Sequence, residues 1–171
     1  MYEKILAIDT ETTGVSCNDE LLQLSIVGGS GEVLYDSYVR PVFLTEWPGA
    51  EAVNGISYDM VKDAPTPEEV AAAVAPIFAN AEVIVGYNTS FDVGFVERCL
   101  NVQLGHLQKK DVMWQFADYM AATQGAPRKR HKLIDCAAFF GFEWPGGAHN
   151  SKNDALATLF CYQAMLTEGY E

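Results

Sequence analysis

The sequence predicts an α/β domain on a mixed sheet, with an antiparallel three-strand meander, further parallel strands, and flanking helices. Three observations lead there. The chain opens with strand-like apolar runs joined by short breaks. It then alternates helix-like and strand-like runs. Carboxylates gather where the apolar runs end.

Residues 4–11 are apolar and β-friendly until the carboxylates arrive, which suits a central strand buried on both faces and stopped at Thr13 and Gly14. Residues 22–28 and 33–40 are further strands, separated by GGSGE, a glycine-rich break of hairpin length. Thr66, Pro67 and Glu69 form a capping-box start for a helix reaching about Asn80, with a kink expected at Pro76. A strand over 82–87 follows, then a helix over 91–100, a short strand over 111–113 and a helix over 114–123. Helices over 133–140 and 152–167 complete the set. No repeat or linker interrupts the pattern, so one domain over residues 1–171 is expected.

Composition narrows the class. Apolar residues make up 49% and charged residues 20%, an ordinary globular balance. The N-terminus lacks a basic start followed by a long apolar run, and the most apolar stretch is broken by Pro76, Asn80 and Glu82. A cytoplasmic protein without a membrane span is expected. Cysteines 17, 99, 136 and 161 are too far apart in sequence to form a zinc or redox motif. The net charge of −12 argues against nucleic-acid binding through general electrostatics, which needs Lys and Arg facing phosphates. The basic cluster Arg128, Lys129, Arg130 and Lys132 is a local exception, readable equally as a solvated loop.

Asp9 and Glu11 lie two apart in an extended segment, so both carboxylates share one face, roughly 6 to 7 Å apart along the strand. They repel unless a cation lies between them. Asp9 could instead cap the following turn, with Glu11 solvated. Asn88 and Asp92 flank the exit of the next apolar strand, where open α/β sheets place their sites, although such residues also cap helices. Phe91 and Phe95, four apart, suit a core stripe. His149 and Asp154 are five apart around the start of the last helix, a spacing that lets both point at one centre.

The runs DTETTG (Asp9 to Gly14), NTSFDVGF (Asn88 to Phe95) and HNSKND (His149 to Asp154) resemble the three exonuclease motifs of the DEDDh, or DnaQ-like, family. NGIS at Asn54 to Ser57 is similar to a weaker element between the first two. The likeness covers nearly the whole chain in order and spacing. Ser151 departs from it, since the family more often has Ala there. The resemblance implies a ribonuclease H-like fold and a 3′-to-5′ exonuclease releasing nucleoside 5′-monophosphates. Asp9, Glu11, Asp92 and Asp154 would hold two Mg²⁺ or Mn²⁺ ions, roughly 3.5 to 4 Å apart. Asp9 would bridge them, Asp92 would act directly or through water, and His149 would take the proton from the attacking water. Thr12, Thr13, Asn54, Gly55, Ile56, Asn88 and Phe91 become the expected substrate contacts.

The expected partner is a nucleic-acid 3′ end, single-stranded DNA before RNA. An exoribonuclease and a non-catalytic nucleic-acid-binding module of the same fold are the alternatives. A DNA polymerase partner, as for a polymerase III epsilon chain, is a further possibility. No attachment tail is visible after Leu166, so a free-standing enzyme or an excised domain is expected.

Overall fold

Side chains of a strand point alternately to opposite faces, and residues 5–8 are apolar throughout, so this strand must be covered on both sides. The computed structural model describes residues 4–145 and 150–170. In chain order its elements are β1 (Ile5–Thr12), β2 (Leu21–Gly28), β3 (Val33–Tyr38), α1 (Pro48–Asn54), α2 (Tyr58–Val61), α3 (Pro67–Ala79), β4 (Val83–Gly86), α4 (Thr89–Leu100), β5 (Gln108–Asp111), α5 (Val112–Gln124), α6 (Leu133–Phe140) and α7 (Ser151–Thr167). The strands form one sheet in the order β3-β2-β1-β4-β5. β1, β2 and β3 make the expected antiparallel meander, while β4 and β5 run parallel to β1.

The alternation in β1 divides the core. Leu6 and Ile8 pack with Val74 and Phe78 of α3 and with Val93 and Val96 of α4. Ile5 and Ala7 face the other way, against Phe116 of α5, Ala137 of α6 and Leu159 of α7. A smaller cluster of Leu22, Trp47, Ile56 and Val61 anchors the segment carrying α1 and α2 beside β2.

Three boundaries differ from the sequence reading, each for a local reason. α4 begins at Thr89, earlier than expected, after a left-handed turn at Asn88. The last strand is Gln108–Asp111 rather than 111–113. Its residues QKKD carry no apolar signal, and as the sheet edge it pairs only with β4. Asp111 then caps α5, its Oδ1 accepting from the N–H groups of Met113 and Trp114 at 3.1 and 3.4 Å, so α5 starts at Val112. α1 and α2 were not expected: α1 buries no residue and has no side-chain cap, and α2 is a single turn. The Thr66–Glu69 capping box forms as read, and α3 runs past Pro76 to Ala79, with Asn80 Nδ2 donating to the Pro76 carbonyl at 2.8 Å.

Gly86 lets α4 leave β4 at close range. A Cβ there would meet Thr89 Cα at 3.0 Å, Thr89 Oγ1 at 3.1 Å and Asp92 Oδ2 at 3.4 Å. Thr89 has little freedom to give way, because its Oγ1 sits 3.0 Å from the Gly86 carbonyl and 2.6 Å from that of Lys110. Gly86→Ala should therefore lower the unfolding free energy by about 1–3 kcal/mol, the usual cost of overpacking. Urea unfolding measures this, and an unchanged midpoint would show that the turn yields without cost.

Candidate active site

Because β1, β4 and β5 are parallel, their C-terminal ends meet at one edge of the sheet. Asp9 and Glu11 stand there on the same face as Ala7, the face covered by α7. Thr10 points the opposite way, and its Oγ1 donates to Asp92 Oδ1 at 2.7 Å. Asp92 lies in the first turn of α4 and is 3% exposed. Asp154 lies in the first turn of α7. Carboxylate oxygens of Asp9, Glu11 and Asp154 all fall within 4.8 Å of one another. Asp92 stands outside that triad, yet its charge bears on Asp9. His149 lies outside the described residues.

Such crowding is costly. At an effective dielectric near 20, like charges about 5 Å apart repel by roughly 3 kcal/mol per pair. Burial, and then the charges of Asp92, Asp154 and Glu11, hold the Asp9 carboxyl well above its ordinary range. Burial and Asp154 push Glu11 up to about 7, against a lowering hydrogen bond from Asn54. Burial also raises Asp92, opposed by the Thr10 hydroxyl. Oxygen donors that resist ionisation together, at these separations, suit hard divalent cations.

The scaffold holds the triad from two sides. In register, Asp9 lies opposite Ser25 and Glu11 opposite Gln23. Ser25 Oγ is 2.9 Å from Asp36 Oδ1 and 2.6 Å from Ser151 Oγ, the first residue of α7. A carboxylate only accepts, so Ser25 gives its proton to Asp36 and Ser151 donates to Ser25. Ser151 thus has a partner in β2 that ties the start of α7 to the sheet. On the other side, Asn54 Nδ2 donates to the Thr12 carbonyl at 3.1 Å and its Oδ1 accepts from Ile56 N–H at 3.0 Å.

A cleft of about 580 Å³ opens beside Glu11, lined by Thr12, Thr13, Asn54 and Phe91 together with Val15 and Trp47. Of the expected substrate contacts, Thr12 and Thr13 line it with hydroxyls already engaged: Thr12 Oγ1 donates to the Gly14 carbonyl at 2.6 Å and Thr13 Oγ1 to Asp19 at 3.0 Å. Phe91 rests on Phe95, ring centroids 4.8 Å apart. Gly55 closes α1 at φ 71°. Ile56 is 3% exposed in the cluster with Leu22 and Trp47, so its side chain faces the core rather than the cleft. Asn88 caps α4 through a left-handed backbone at φ 78° without a side-chain bond, and its N–H donates to Asp111 Oδ1 at 3.3 Å. Sequence reasoning overlooked Thr10 and Ser25. Thr10, alternating between two carboxylates in a strand, was detectable. Ser25 carried no signal before its register was known.

A family model described as Exonuclease matches residues 6–162. RNA exonuclease 4 of Aspergillus fumigatus is 34% identical over 167 residues, 94% of this chain and 50% of that protein. The chain thus spans about half the length of that relative. DNA polymerase III subunit epsilon of Escherichia coli is 27% identical, covering 94% of this chain and 70% of that protein. Among solved structures, the nuclease domain of 3′hExo, a DEDDh family member bound to rAMP, aligns with TM-score 0.73 at 19% identity over 99% of this chain and 94% of that one. E. coli Exonuclease I in complex with a dA16 oligonucleotide aligns with TM-score 0.78 at 20% identity over 98% and 41%. The α/β fold is the ribonuclease H-like one expected from the motifs.

Carboxyls raised above their unfolded values favour folding while protonated, and that contribution is lost as pH rises through the folded values. Metal-free protein should therefore melt at progressively lower temperature as pH rises from about 4.5 through about 7, as Glu11 ionises together with the other raised carboxyls, Asp9 and Asp92. Added Mg²⁺ or Mn²⁺ should raise the melting temperature more at pH 8 than at pH 5, because cations displace those protons. Melting curves with chelator or metal test this. A metal-induced shift independent of pH would separate metal binding from these carboxyls.

Proposed function

The chain belongs to the Exonuclease family, and on that premise we propose that residues 1–171 form a single 3′-to-5′ exonuclease domain. It would act on single-stranded nucleic acid in the cytoplasm and release nucleoside 5′-monophosphates. The observation that carries this reading is the mutual approach of Asp9, Glu11 and Asp154 within 4.8 Å, beside a cleft and with a buried Asp92 whose charge bears on Asp9. Among the described residues, no helix is long and apolar enough to cross a membrane.

Asp9, Glu11 and Asp154, with Asp92 directly or through water, would hold two Mg²⁺ or Mn²⁺ ions. Bound there, the ions would supply electrostatic stabilisation of the reacting phosphate and its leaving oxygen. The chain's own residues do the rest. The cleft residues Thr12, Thr13, Asn54 and Phe91 seat the terminal nucleotide, placing its phosphodiester at the carboxylates. His149 takes a proton from water as its oxygen bonds to phosphorus. The bond from phosphorus to the 3′ oxygen breaks, leaving a 3′ hydroxyl on the shortened strand and a 5′-monophosphate as product. Thr10 holds Asp92, and Asn54 holds Glu11 and the Thr12 carbonyl, so the acceptors do not swing into the cleft.

DNA is the first substrate reading, and partnership with a DNA polymerase belongs to it, supported by the similarity to polymerase III epsilon. RNA is the second, favoured by the 34% identity to RNA exonuclease 4. Purified protein with Mg²⁺ or Mn²⁺ should shorten 5′-labelled oligomers stepwise and release a labelled mononucleotide at once from 3′-labelled ones. Parallel DNA and RNA arms decide the sugar, and internal cuts would overturn the reading. Asp9→Asn and Asp154→Asn should each leave less than about a tenth of the rate, since metal charge supplies several kcal/mol of the stabilisation. His149→Ala should slow turnover by roughly 10² to 10⁴, the usual worth of a positioned general base, and flatten the pH profile. A normal rate in His149→Ala would remove it from proton transfer.

A further inference from the structure

Most of the positive charge in this acidic chain falls in two short stretches. Six of the eleven basic residues are Lys109, Lys110, Arg128, Lys129, Arg130 and Lys132. The fold brings the last four back to the edge of the sheet where the carboxylates stand. α5 starts at that edge, directly after β5, and runs away from it. The loop that follows climbs back along α5: Arg128 pairs with Asp118, and the Arg128 and Arg130 guanidinium groups lie 4.6 and 5.3 Å from the ring centroid of Trp114, in the first turn. Tyr87, which follows β4, donates its hydroxyl to the His131 carbonyl at 3.0 Å and pins the loop beside the strand next to β1.

Face and distance agree. The loop joins α5 to α6, and both cover the face onto which Asp9 and Glu11 project. Lys110 pairs in register with Val85, which belongs to that face, so it points the same way. From β1 to β5 is two strand spacings, about 10 Å. The cleft lies on the other side of the carboxylates, toward α1 and Phe91 of α4. Arg128 is committed to Asp118, whereas Lys129, Arg130 and Lys132 are exposed and make no ion pair among the described residues. Stacking on Trp114 also orders the Arg130 guanidinium before any ligand arrives.

We propose that this loop is the track for the single strand entering the active site, with Lys129, Arg130 and Lys132 binding phosphates on the 5′ side of the scissile bond. This rests on the exonuclease reading for the direction of the strand. With its 3′ nucleotide in the cleft and the scissile phosphate at the carboxylates, the preceding phosphates run toward the loop. A net charge of −12 repels a polyanion, so the productive approach is the one on which cations are exposed. Polymer length would then matter through this loop alone, while the terminal nucleotide is judged in the cleft.

The test is the variant K129A/R130A/K132A, with a thermal melt to check its fold. Binding of 5′-fluorescein oligothymidylate, followed by anisotropy in Ca²⁺ over a salt series, needs no turnover. The variant should bind several-fold more weakly, and its slope of log affinity against log salt should be less steep by up to about 2, from roughly 0.7 per phosphate. In turnover assays KM for the oligomer should rise while kcat changes far less, because uniform contacts do not accelerate chemistry. Equal affinity and equal salt slope in folded variant and parent would overturn the track. Loss of strand binding in the variant, alongside a parent that hydrolyses nothing, would support the track and overturn only the exonuclease reading.

Discussion

Repulsion among carboxylates is the constraint around which this molecule is arranged. Asp9, Glu11 and Asp154 share a volume in which their oxygens approach within 4.8 Å, and Asp92 adds its charge from α4. At roughly 3 kcal/mol per like-charged pair, full ionisation without a cation would consume much of the 5–15 kcal/mol by which a domain is usually stable. The fold must therefore impose the arrangement from outside. The double core does so: β1 is clamped between α3 and α4 on one face and α5, α6 and α7 on the other, so its last residues cannot diverge.

Smaller polar contacts refine what the core imposes. Thr10 holds Asp92 across β1, and the Ser151–Ser25–Asp36 chain docks α7 at the residue where its first turn begins. Asn54 closes the far side through the Thr12 carbonyl, making the α1 segment part of the site although α1 itself buries nothing. The left-handed Asn88 and the close approach at Gly86 turn the chain from β4 directly into α4, whose first turn carries Asp92 near enough for its charge to bear on Asp9. Non-glycine residues are rare in that conformation and mark places where surrounding structure overrides local preference.

Charge is separated along the sheet edge. Carboxylates occupy the end of β1, while the cationic loop is held beside the end of β4 and the first turn of α5 by Tyr87 and Trp114. An overall charge of −12 is therefore a poor guide to what this surface attracts, since the field near the edge depends on a few ordered groups and on any cation the carboxylates hold.

Much of this was legible in the sequence because it depends on local periodicity. The unbroken apolar run before the carboxylates in 4–11 showed a strand covered on both sides, alternation put Asp9 and Glu11 on one face, and the Thr66–Glu69 box and Gly-rich break marked their helix and hairpin. Asp92 and Asp154 were readable as acids at helix starts, and the three motifs together identified the family. Elements whose stability comes from partners were not readable. QKKD is a strand only because β4 offers it an edge, and PGAEAVN is a helix with no buried face. Ile56 looked like a substrate contact by its motif, and only packing against Leu22 and Trp47 turned it inward. The pairing of Ser25 with Ser151, 126 positions apart, and the return of the basic loop onto Trp114 likewise needed the tertiary structure. Periodicity and capping act over a few residues and are written in the chain, whereas register, edge position and the meeting of distant charges exist only once the sheet has closed between its helices.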